Sequence, residues 1–444
     1  MGQQRCKAIV SWNVRNFVRR YLAEKVYNHF LSSYSLQGNL TASGEMRKRG
    51  FSFVSDCERR IKVRRLYFAV DRLASATSGE KKDRHRMSGV EIRQKKRDIA
   101  IDFLRCLLMF FIVLHHAACH GYYKGDTVNW ALPILFTTLV YWHVDGFIAI
   151  SGWFGVRFSL VRFFSLFGVI AFWSIAKLIT VGLFGQTTIS NLGWSGGWFG
   201  GTYLAFLFVA PILNAAVERL ASLDKSRFYI IWGVFNVGMM LNWAPYHFFS
   251  GVSAAGGGGF SILMFIYVYL NVRFIRALAL DSSFSRKTFV ACIAIFILGV
   301  ICFSFPFAAR AYMRKGFINH LDWIGYTSYD SPHSLIMAIG ALLFFHKFVH
   351  VPEAVGRIVS KISPLMFGIY IIHEGTGIGR QLYTIPERWL ANHTNLSPLI
   401  IVFVCAIATY VLCMLLDEIR RIVVLPFKRI AIARLKKLDE SLGL

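Results

Sequence analysis

Apolar residues gather into ten runs, each close to the roughly 20 residues that a helix needs to cross a bilayer. The runs cover approximately 99–119, 131–152, 163–184, 201–217, 228–243, 259–275, 288–308, 333–349, 364–383 and 397–417. None shows the ten-residue alternation of a lipid-facing barrel strand. Helices satisfy every backbone group within one segment, so the pattern predicts an all-α, polytopic bundle of about ten transmembrane helices. The ninth run, "PLMFGIYIIHEGTGIGRQLY", is the least apolar and is expected as a broken or partly embedded helix.

Loop charge orients the bundle. Lys and Arg recur in "GVRFSLVR" (Arg157, Arg162), in "ERLASLDKSR" (Arg219, Lys225, Arg227) and in "RRIVVLPFKRIAIARLKK" near the end. The alternate loops "TVGLFGQTTISNLGWSGGW" and "NWAPYHFFSGVSAAGGGG" hold none. Only the stretch with Arg310, Arg314 and Lys315 breaks the alternation. The bias predicts both termini on the cytoplasmic side.

Composition supports the membrane reading. The 444 residues are 55% hydrophobic and 17% charged, with a mean hydropathy of +0.48. The formal charge is +26, and residues 1–97 hold 23 Lys/Arg against 8 Asp/Glu. So basic a segment can mark nucleic-acid binding, but beside a bundle of spans it fits a cytoplasmic, headgroup-facing extension better, and no nucleic acid is expected. Residues 1–96 therefore read as a basic N-terminal extension, disordered or an over-long start assignment, with Met87 opening a natural beginning. A membrane domain over 97–417 and a basic tail over 418–444 follow. Eight scattered cysteines without a CxxC pair indicate neither a zinc site nor a disulfide framework, and no metal is expected.

The first run, "IDFLRCLLMFFIVLHHAACHG", carries Asp102, Arg105, His115, His116 and His120. Ionisable groups in a span face the protein interior or a water-filled cavity. At about 100° and 1.5 Å per residue, the eleven steps from Arg105 to His116 amount to three turns plus roughly 20° over about 16 Å. Both therefore fall on one stripe with Met109 and Ile112, and Asp98, Asp102 and His120 lie on or near it. A structural use is open as well: Asp98 and Asp102 can pair with Arg105 near the cytoplasmic boundary while the histidines sit at the outer headgroup level. His115 points about 100° away. Histidine is suited to take a proton near neutral pH and arginine to hold phosphate. The stripe fits transfer from a phosphate-bearing carrier to a hydroxyl, and it fits a proton-coupled transporter as well.

"RDIAIDFLRCLLMFFIVLHH" resembles the opening of the membrane-bound acyltransferase 3 family, in which an Arg and a His stand ten residues apart, as Arg105 and His116 do. "VDGFIAISGWF", "GGWFGGTYLAFLFVAPILN" and "ISPLMFGIYIIHE" follow in the family's order, so the resemblance covers about 97–417. It implies an enzyme of the bacterial plasma membrane, without a bound cofactor, that takes an acyl group, usually acetyl, from cytoplasmic acyl-CoA. The implied acceptor is a hydroxyl of a cell-envelope glycan, an exopolysaccharide or a lipid-linked precursor. Membrane lipid is the surrounding partner. By motif position His116 is the expected base and Arg105 the donor-binding partner, with Asp102, Ser151, His373 and Glu374 as substrate-binding candidates. Ser151–Gly152 also reads as a helix-packing pair of small residues, and Trp198 and Tyr203 as aromatic-belt residues. Gly146 stands where the family usually has one aromatic of a Phe pair, and no hydrolase-like domain follows the last run.

Overall fold

The computed structural model describes residues 97–121, 136, 138–183, 195–248, 259–304, 309, 313, 328–375 and 379–443. The chain divides into two units, Met1–Lys95 and Lys96–Leu444, and every described residue belongs to the second. The basic extension therefore lies outside the described residues. So does the start of the second run.

Among the described residues there are helices and turns and no strand. The elements are α1 (Ile99–His120), α2 (His143–Phe154), α3 (Leu160–Leu183), α4 (Gly197–Ala221), α5 (Lys225–Phe248), α6 (Ile262–Ala277) and α7 (Arg286–Gly299), which runs into a π turn. Then come α8 (Pro332–Phe348), α9 (Glu353–Ile362), α10 (Met366–Tyr370), α11 (Gln381–His393) and α12 (Pro398–Leu442). Each apolar run overlaps helix among the described residues, the second from His143 and the ninth in pieces. Among the described residues six segments are long and apolar enough to cross a membrane: α1, the 160–179 part of α3, α4, Arg286–Phe303, Glu353–Gly375 and α12. The chain is an all-α, polytopic membrane protein.

Burial sorts these helices. In α1 61% of the apolar window is buried, against 17% in α3 and 33% in α12. The first helix is thus the central post, packed by α2, α8, α9, α10 and α12. Outer helices keep Ile175, Ile230, Val234 and Ile407 exposed, as lipid-facing surface requires. Asp98 caps α1 by accepting from the Ile101 N–H at 3.2 Å, and its carboxylate also takes His346 Nδ1 at 2.7 Å. It does not join Arg105.

Small residues set the closest approaches. A Cβ on Gly146 would lie 2.7 Å from Leu108, so the buried leucine of α1 fills the space an aromatic would need. A Cβ on Gly152 would lie 3.0 Å from the Tyr269 carbonyl and from Val272 of α6, so this half of the Ser–Gly pair does pack helices.

The ninth run is broken. α9 tightens into a 3-10 turn at Ser363–Leu365, where Pro364 has no N–H to continue the ladder. α10 follows and passes into a π turn, Ile371–Gly375. Gly368 lies directly against the Asp417 carboxylate of α12. The last run and the basic tail that follows it form one continuous helix to Leu442. Pairs at i,i+3 (Asp417–Arg420, Glu418–Arg421) hold the helix across that boundary. At its far end the Asp439 carboxylate accepts from the Leu160 and Val161 N–H groups at 2.8 and 3.3 Å, and so closes the start of α3.

Candidate functional site

One cavity of about 220 Å³ receives the predicted stripe of α1: Arg105, Met109, Ile112 and His116 all line it. The opposite walls come from α2 (His143, Phe147, Ser151), from α4 (Trp198, Phe199, Tyr203), from the broken segment (Ser363, Tyr370) and from Tyr329. His115 points elsewhere. It is buried with its ring 4.9 Å from Tyr141 and 5.4 Å from His143. The helical phase thus separates two adjacent histidines.

The arginine end is held by a carboxylate. Asp102, 1% exposed, pairs with both Arg97 and Arg105. Arg97 also donates from Nη2 to Ser363 Oγ at 2.7 Å, which ties α1 to the 3-10 turn. Arg105 remains one-third exposed, and its guanidinium lies 5.4 Å from the Phe154 ring. Of the two uses open to Asp102, substrate binding and pairing with Arg105, the structure shows the pairing, and the carboxylate does not line the cavity. Its two oxygens are used up in orienting guanidinium groups, because a buried carboxylate needs such partners.

At the histidine end, residues 257 positions apart meet. His116 Nδ1 lies 2.9 Å from His373 Nε2, and His373 Nδ1 lies 2.7 Å from the Ile369 carbonyl oxygen. A carbonyl only accepts, so His373 Nδ1 carries a proton. Neutral His373 then offers Nε2 as an acceptor, and His116 must donate from Nδ1. That leaves His116 Nε2 with a lone pair, the form a general base requires. Glu374 Oε2 stands 3.5 Å from His116 Nδ1, close enough to favour the imidazolium once a proton arrives. Its other oxygen is 3.3 Å from Arg380 Nη2. The π turn aims both His373 and Glu374 at α1, a use such turns often serve.

Ser151 also reaches the cavity. Its Oγ donates to the Phe147 carbonyl at 3.0 Å, so Tyr203, 3.1 Å away, donates to the serine oxygen. Trp198 and Tyr203, expected in an aromatic belt, are cavity wall instead. Trp198 stacks on Tyr329 with centroids 5.6 Å apart. Sequence reasoning passed over His143, Asp145 and Tyr370. Both nitrogens of His143, both carboxylate oxygens of Asp145 and the Tyr370 hydroxyl are buried without a hydrogen-bond partner among the described residues, and His143 and Tyr370 face the cavity. The signal was present in "HVD" at the head of the second run, two ionisable residues where lipid would penalise them. His116, His120 and Glu374 place ligand atoms within 4.8 Å of one another, a set that can hold a metal although none was expected from cysteine spacing.

This arrangement offers a cation at one end of a largely apolar cavity, and a base backed by an imidazole and a carboxylate further along. The acyltransferase domain family, acyltransferase 3, matches residues 98–418. Comparison with curated proteins and with solved structures gives no match. The family match decides between the two readings the stripe left open, acyl transfer and proton-coupled transport, in favour of the first. The chain belongs to the acyltransferase 3 family of membrane-embedded acyltransferases.

Proposed function

We propose that the protein is an O-acyltransferase of the bacterial plasma membrane that moves an acyl group, acetyl in the usual case, from cytoplasmic acyl-CoA to a glycan hydroxyl. The glycan is a cell-envelope or exopolysaccharide chain or its lipid-linked precursor. The observation that carries this reading is that Arg105 and His116 line one cavity, with His116 Nε2 left as the basic nitrogen.

Arg105, held by Asp102, binds the anionic donor. His116 Nε2 takes the proton of the acceptor hydroxyl as its oxygen forms the ester bond to the acyl carbon. The thioester C–S bond breaks, and the imidazolium returns the proton to the departing CoA thiolate. Glu374 and His373 stabilise the intermediate positive charge from behind, as orienting partners do in other histidine bases. Ser151 and Tyr203 offer hydroxyls along the wall where either substrate lies.

The test is purified full-length protein in detergent with radiolabelled acetyl-CoA and an extract of envelope glycans. Label should move to the acceptor, and CoA release should depend on it. CoA release that is the same with His116→Ala as with the wild type would sink the assignment of the base.

A further inference from the structure

We propose that His116, His120 and Glu374 form a binding site for a divalent transition cation of the Zn²⁺ class, and that the cation switches the enzyme off. The binding half stands on the three side chains alone, whereas the switching half rests on His116 being the base.

His116 and His120 are i and i+4 on α1, so both rings project from one side of the helix, with centroids 5.4 Å apart. Glu374 comes from the π turn opposite. One ligand atom from each lies within 4.8 Å of the other two. A tetrahedral ion with bonds of about 2.0–2.2 Å holds its donors about 3.3–3.6 Å apart. His116 Nδ1 and Glu374 Oε2 already stand at 3.5 Å. Oε2 accepts no hydrogen bond among the described residues, while Oε1 is engaged by Arg380, so the free oxygen is the one aimed at the histidines. Two imidazoles and one carboxylate are the donor set of catalytic zinc sites. Mg²⁺ and Ca²⁺ prefer all-oxygen shells, so the donor chemistry excludes them. His373 Nε2, 2.9 Å from His116 Nδ1, loses its hydrogen-bond donor when that nitrogen binds metal, and stands as a fourth nitrogen for the ion.

The consequence for catalysis follows from charge. The ion replaces the proton on His116 Nδ1, and a dication bonded to the ring opposes the arrival of a proton on Nε2. The imidazole then cannot serve as a base.

Metal bound by the purified full chain is measured by elemental analysis and Zn²⁺ titration, with Mg²⁺ as control, and acyl transfer is assayed in parallel. The wild type should take up one Zn²⁺ per chain, ignore Mg²⁺ and lose acyl transfer as the site fills. His120→Ala should bind Zn²⁺ at least about tenfold more weakly, since even changes behind the ligands cost that much. Its turnover without metal should be unchanged and should resist Zn²⁺ over the same range. His120→Asn serves where the alanine variant does not fold, and Glu374→Gln, read by binding alone, should weaken uptake likewise. A wild type that takes up no Zn²⁺, or variants that bind it as tightly as the wild type, would overturn the site. Full occupancy with unchanged turnover would overturn the switch. Zn²⁺ uptake by a protein that transfers no acyl group supports the site and counts against the acyltransfer reading.

Discussion

Asp102–Arg105 in α1 and Asp417–Arg420 in α12 are the same pair at the same i,i+3 spacing, and they differ in what lies beyond the guanidinium. Arg420 is 9% exposed, meets Asp417 through both Nε and Nη2 at 2.6 and 2.9 Å, and shares that carboxylate with Trp173 Nε1 at 3.1 Å. Arg105 is 33% exposed and lines the cavity, while its carboxylate has Arg97 as a second partner. Arg420 spends two donors on its own carboxylate and reaches a basic groove along α12 with Arg421 and Lys428, whereas Arg105 presents its cation to the cavity that also holds His116. A buried pair adds little net stability but is costly to break, because the survivor is left charged and alone. Spacing therefore does not distinguish a structural pair from a functional one. What each partner is left to do does.

The cavity side is the more sensitive of the two to substitution. His116→Ala should lower turnover by about 10²–10⁴, the usual worth of a general base, with an unchanged unfolding temperature. The same change at His115 should cost far less turnover, since that ring does not line the cavity. In the α12 pair, Asp417→Leu strands Arg420 and should destabilise the bundle by about 3–5 kcal/mol. Thermal unfolding in detergent measures it, turnover per folded molecule should hold, and adding Arg420→Met should restore most of the loss. Arg105→Gln should leave Asp102 paired with Arg97, so stability should hold. The KM for acyl-CoA should then rise by about tenfold to a hundredfold, the worth of a charge-assisted hydrogen bond. Least of all, Arg357→Ala, which removes a 3.2 Å pair to an 88% exposed Glu353, should change stability by less than about 1 kcal/mol and leave KM alone.

The helical class was legible because lipid leaves the backbone one solution, and among the described residues six segments are long and apolar enough to span. The cavity-lining face of α1 was legible for a related reason. A fixed rotation per residue puts Arg105 and His116 together and turns His115 away without knowledge of any other helix. The partnership of His116 with His373 and Glu374 is tertiary and rests on a π turn, which no local periodicity announces. The family pattern pointed to those two residues, but only packing gives them their distances. Asp102 and Trp198 each had two uses open. For the carboxylate, pairing with Arg105 was one of them, and the two neighbouring arginines take up both oxygens. The tryptophan near a span end was read as an anchor, but a cavity opens beside it. Asp417 was visible throughout as a charge at the end of an apolar run, and a charge there calls for a partner one turn away.

The contact of Asp439 with the first amides of α3 concerns how the molecule is made as well as how it stands. Leu160 and Val161 leave the ribosome long before Asp439 does, so until the end of α12 is made those two N–H groups lack this partner. The third helix is thus completed by a residue near the end of the twelfth. The contact is a clasp between early and late parts of the chain, and a protein cut before α12 is without it.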